Sequence, residues 1–185
     1  DFTPYFGVIP LVFSLWAIYK LQKFSFVKFA TVTSAIFILS ATHGPITFLI
    51  KTLRIPLLDS TTPSRFVSIS IFLLIILAAF GFADFLKNFG DKKYLKKFLY
   101  FLIPIGLIYL LLWTFAVLGS QFLEPKETWQ INLAVTRRNL ILPTLMFLSI
   151  PVGTLIVRMI RSKIPAMDLW AKTLVIVGIF TVVLV

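Results

Sequence analysis

Residues 98–118 read FLYFLIPIGLIYLLLWTFAVL, twenty-one positions without a charged side chain. As a helix rising 1.5 Å per residue, this stretch is about 31 Å long, the thickness of a bilayer's hydrocarbon core. The helices of soluble proteins interrupt their apolar stripe with a polar face every few residues, and this one does not. A strand reading fails as well, because barrel strands alternate over roughly ten residues. In lipid, the backbone must satisfy its own hydrogen bonds, which a helix does unaided.

On either side the same pattern recurs. Apolar runs occupy residues 4–19, 27–50, 66–86, 140–157 and 169–185. The chain of 185 residues is 59% hydrophobic, with a mean hydropathy of +0.98. A soluble domain of that balance has too little polar surface to cover itself. The expected fold is all-α: a single polytopic transmembrane helix bundle of about six helices over residues 1–185. Prolines fall inside several runs, among them Pro45, and Pro143 with Pro151. Neighbouring helices and Ser/Thr hydroxyls can satisfy the carbonyls these prolines free.

The net charge of +11 invites a nucleic-acid reading, but the placement of the basic residues argues against it. Lys and Arg sit between apolar runs, where they orient a membrane protein and meet anionic lipid. Three alternate loops carry eleven basic residues: Lys20, Lys23 and Lys28; Lys87, Lys92, Lys93, Lys96 and Lys97; Arg158, Arg161 and Lys163. The opposite side carries six, namely Lys51, Arg54, Arg65, Lys126, Arg137 and Arg138. The positive-inside rule then puts the start of the chain outside and the lysine-rich loops in the cytoplasm of a bacterial inner membrane. Asp1 at the start and the apolar run reaching Val185 lead to the expectation of a longer polypeptide with seven or more helices. No cysteine is present, so disulfides and thiolate chemistry are excluded within the chain.

Residues 121–139, QFLEPKETWQINLAVTRRN, differ in kind. Glu124-Pro125-Lys126-Glu127-Thr128 has the acidic, Pro-containing character of a helix start. Trp129, Leu133 and Thr136 recur at helical spacing. The spacing predicts a short helix over 127–139 lying at the outer interface, with Trp129 in the aromatic belt.

Few residues carry chemistry. His43, the sole histidine, lies within an apolar run. It is either a ligand-pocket or relay group, or a neutral histidine packed beside Gly44-Pro45. A metal or haem site would need further His or Cys ligands that the chain lacks, and no cofactor is expected. Arg137 and Arg138 at the mouth of the fifth run suit a carboxylate, a phosphate or a lipid headgroup, or else they snorkel to the interface. Asn139 could join either role. The candidate ligand-binding set is therefore His43, Trp129, Arg137, Arg138 and Asn139. Asp84, three residues before Lys87, suits an i, i+3 ion pair at the membrane edge. Paired carboxylates, Ser–His–Asp sets, HExxH, P-loop and GxGxxG motifs are all absent, so the residues provide no catalytic constellation.

Two family resemblances attach to particular stretches. FILSATHGPITF (37–48) resembles the FG–apolar–HG–apolar–EW pattern in the N-terminal multi-helix membrane region of bacterial sensor histidine kinases and diguanylate cyclases. SISIFLLIILAAFGFADFL is similar to that region's next helix, a leucine-rich run closing on Phe-Gly. TWQINLAVTRRNLILPTLMFLSI resembles its W-x-A-R-Y-L-L-x-x-P-G segment, which opens a later helix. His43-Gly44, Arg138 and Pro143 match, whereas Thr47-Phe48 stands near the Glu-Trp, Asn139 replaces the aromatic and Thr144 the glycine. This resemblance covers residues 37–150 and implies a sensory input module for an output domain outside the chain. TPSRFVSISIFLLIILAAFGFADFL (62–86) also resembles the Pro-x-Arg-Phe helix start late in multi-pass membrane glycosyltransferases of the cell envelope. That resemblance implies catalytic carboxylates upstream of Asp1.

The leading expectation is the signal-transduction input module. The alternatives are a small transporter or channel, a structural subunit of a larger membrane complex, and the transferase fragment. The expected partners are lipid, including anionic lipid, a small anionic or lipid-like ligand, and further protein chains in a homo-oligomer or larger complex, with no nucleic acid.

Overall fold

The computed structural model describes residues 6–41, 52, 64–119 and 126–163. Five helices form its framework: α1 (Val8–Lys20), α2 (Ser25–Ala41), α3 (Ser64–Asn88), α4 (Lys92–Leu118) and α5 (Lys126–Lys163). No strand occurs among the described residues. Among the described residues, three stretches are long and apolar enough to cross a membrane: Val67–Asn88, Lys92–Leu118 and Trp129–Ile156. The chain is thus an integral membrane protein whose described residues are all-helical in architecture. The run expected over 169–185, the second half of that over 27–50, and the His43-Gly44-Pro45 break lie outside the described residues.

The described helices differ from the sequence expectation chiefly in α5. The interfacial helix expected over 127–139, feeding into a span over 140–157, is continuous with that span as one helix of 38 residues. Its length is about 57 Å, well beyond a hydrocarbon core of roughly 30 Å. Backbone hydrogen bonding is indifferent to the membrane boundary, and Lys, Glu, Gln, Leu, Ala and Arg between 126 and 138 are good helix formers. Pro143 and Pro151 both lie inside α5, and Pro104 lies inside α4.

The chain divides into two compact units, 1–89 and 90–185. In the first, α3 is the hub, packing against both α1 and α2. Ala17, Val27, Ala30 and Leu77 form a buried cluster contributed by all three helices, with Leu73 and Leu74 against it. Phe13 meets Phe82 and Phe85 edge-on, at ring separations of 5.1 and 5.5 Å. Phe26 lies against Phe80, and the Ser70 hydroxyl donates to the Ser34 carbonyl at 3.1 Å, so α2 runs antiparallel to α3. Ser34 Oγ is itself buried, without a hydrogen-bond partner among the described residues.

Gly81 marks the closest approach of α1 and α3. A Cβ there would overlap the Phe13 carbonyl oxygen and stand 2.9 Å from the Phe13 carbonyl carbon and 3.2 Å from the Ala17 backbone nitrogen. The two backbones therefore meet at a separation that only glycine permits.

In the second unit α4 and α5 pair antiparallel. Asp91 caps α4, its carboxylate accepting from the Lys93 N–H at 2.8 Å. Tyr109 stacks on Phe147 with ring centroids 5.1 Å apart. The Trp113 indole donates to Thr144 Oγ1 at 2.9 Å, while that hydroxyl donates to the Leu140 carbonyl at 2.6 Å. Towards the other end Leu133 is buried close to Gly119.

Candidate functional site

Four of the five candidate residues, Trp129, Arg137, Arg138 and Asn139, stand on α5, and the fifth, His43, lies outside the described residues. Consecutive residues on a helix diverge by about 100°. Trp129 and Arg137 consequently share one side of α5, about 12 Å apart along the axis, and Arg138 projects from the side opposite Trp129. Trp129 is half-buried; Arg137, Arg138 and Asn139 are exposed. Arg137 Nε donates to the Leu133 carbonyl at 3.4 Å, which lays its stem back along the preceding turn.

The position of the pair along α5 has a physical rationale. Between Arg138 and Arg158 lies an uncharged stretch of nineteen residues, about 28 Å of helix and close to the hydrocarbon thickness. With that stretch in the lipid, the two arginines fall at one interface, and Arg158, Arg161 and Lys163 fall at the other. Guanidinium groups there can pair with phosphate or carboxylate.

The first unit contains a feature that the sequence reading passed over. A groove of about 440 Å³ opens between the end of α3 and the turn joining α1 to α2. Leu21, Phe24, Phe26 and Val27 form one wall; Phe80, Ala83, Asp84 and Lys87 form the other. Phe24 and Phe26 are exposed, and so are Lys23, Lys28 and Lys87. Asp84 Oδ1 and the Asp84 carbonyl each accept from Asn88 Nδ2 at 2.9 Å. The signal available in the sequence was FSFVKF at 24–29, where phenylalanines alternate with small or basic residues directly after a lysine-bearing turn. Read as a topological loop, that stretch contributed only its charges to the argument.

Among the described residues, no group of three or more His, Cys, Asp or Glu side chains is placed to hold a metal ion. Chemically, the described surface offers cations for pairing with anions at the arginine pair of α5, at the lysines that open α4, and at the groove beside Lys87. Comparison with protein-family models, with curated proteins and with solved structures yields no match for this chain.

Proposed function

We propose that this chain is a membrane-embedded helical portion of a multi-pass glycosyltransferase of the bacterial inner membrane, its start outside, working with catalytic carboxylates carried by preceding polypeptide. The observation that supports this reading is the unbroken apolar helix that carries the motif. The Pro-x-Arg-Phe resemblance puts Arg65 and Phe66 at the head of a long apolar helix, and both lie in α3, which runs unbroken from Ser64 to Asn88. In the transferase reading α3 is a scaffold helix, held by α1 and α2, with Arg65 in its first turn. The test is sugar transfer by the full-length protein in liposomes, supplied with labelled sugar nucleotides and with lipid-linked sugars. Transfer from either donor class, reduced by Arg65→Ala, is expected. No transfer from either class contradicts the reading.

A second reading, the sensory input module, is favoured by the continuity of α5. One helix joins the polar mouth at Trp129, Arg137, Arg138 and Asn139 to the basic end at Arg158, Arg161 and Lys163. A ligand that shifts one end displaces the other, as a signalling rod requires. This reading predicts that Arg137→Gln with Arg138→Gln abolishes ligand-induced output of the full-length protein. Output that survives both substitutions and His43→Ala removes it.

A further inference from the structure

We infer that the groove between α3 and the α1–α2 turn is a binding site for one anionic phospholipid, with an acyl chain against the phenylalanine wall and its phosphate at the lysine rim.

The lining supports an apolar guest. The groove's volume of about 440 Å³ falls in the range, roughly 300–1,000 Å³, of cavities that retain small molecules. Its walls are Leu21, Phe24, Phe26, Val27, Phe80 and Ala83, and its only charged lining residues are Asp84 and Lys87. Phe26 and Phe80, 5.7 Å apart between ring centroids, tie α2 to α3 beside it.

Charge selects the headgroup. Lys87 lines the groove, while Lys20, Lys23 and Lys28 each stand within one residue of a lining position in the chain. Lys23, Lys28 and Lys87 are exposed, and the groove lining presents one carboxylate, that of Asp84. Basic residues at the edge of an apolar membrane surface favour anionic lipid by about a factor of five each. A zwitterionic lipid would bring its own cation to a rim already in cationic excess. The inference is independent of the transferase reading, since it concerns the lysine end of the first unit and no reacting group.

The experiment is native mass spectrometry of the full chain released from nanodiscs containing equal amounts of phosphatidylglycerol, phosphatidylethanolamine and phosphatidylcholine. One phosphatidylglycerol should survive activation that strips the other lipids. The variant Lys23→Gln/Lys28→Gln/Lys87→Gln should lose it, with retention falling on the order of a hundredfold. Ala83→Phe, which fills the groove and keeps every lysine, should also lose it. Lys92→Gln/Lys93→Gln/Lys97→Gln, an equal loss of charge on α4, should retain it. Equal retention of the three lipids, or retention unaffected by both groove variants, means annular lipid only and overturns the inference.

Discussion

Replacing Gly81 with alanine should break the α1–α3 contact. The added Cβ would stand 2.9 Å from the Phe13 carbonyl carbon and closer still to its oxygen. Carbon atoms make their best contact at about 3.5–4.0 Å, so the helices must separate by at least about 0.6 Å. The obstacle is backbone, so no rotamer change relieves it. Separation loosens the packing of Phe13, Trp16, Ala17 and Leu77, all 2% exposed or less. Overpacking of this kind costs about 1–3 kcal/mol. A rigid backbone contact belongs at the upper end, about 3 kcal/mol, which lowers the folded-to-unfolded ratio by roughly two powers of ten. The assay is equilibrium unfolding in mixed micelles with increasing SDS. Gly106→Ala is the control: its Cβ would meet the Phe147 ring at 3.5 Å, an ordinary contact, and alanine improves helix propensity. Gly106→Ala should therefore stay within about 1 kcal/mol of the parent. A Gly81→Ala protein as stable as the parent would refute the close crossing.

Three further outcomes follow from the same geometry. A double-mutant cycle of Trp113→Phe with Thr144→Val should give a coupling of about 0.6 kcal/mol and no more than about 1.7, the range for hydrogen bonds between membrane helices; zero coupling in SDS unfolding would mean that the indole and the hydroxyl do not meet. Ser34→Ala should be neutral or stabilising by up to about 1 kcal/mol, because it removes a buried hydroxyl without a hydrogen-bond partner among the described residues; a clear loss of stability would reveal a partner for Ser34 Oγ. Asp91→Ala should destabilise by about 1 kcal/mol through loss of the α4 cap, and Asp91→Asn should restore most of that.

What the sequence made legible was whatever depends on one helix at a time. The spans around 66–86 and 98–118 needed only uninterrupted apolar length, and α3 and α4 contain both. The supposed boundary near Arg137 and Arg138 misled because charge marks where lipid ends, and hydrogen bonding alone decides where a helix ends. The polar half of α5 keeps its i→i−4 bonds whether or not lipid surrounds it. Features made by two helices meeting were invisible. Gly81 was one glycine among eight until Phe13 was seen against it. Thr144, a departure from the sensor-region pattern, turned out to accept the Trp113 indole. The groove needed Phe26 beside Phe80, 54 positions away in the chain, and no local pattern fixes that pairing.

The central claim, that α3, α4 and α5 each cross a bilayer, is tested most directly by labelling single cysteines. The chain has no cysteine of its own, so each introduced thiol reports alone. Thr62→Cys, Asp91→Cys, Gln130→Cys and Ser162→Cys flank the three crossings. With a membrane-impermeant maleimide on intact cells, positions 62 and 130 should label, and positions 91 and 162 should label only after the membrane is opened. Equal labelling of 91 and 130 in intact cells would contradict the crossing of α4, and equal labelling of 130 and 162 would contradict that of α5.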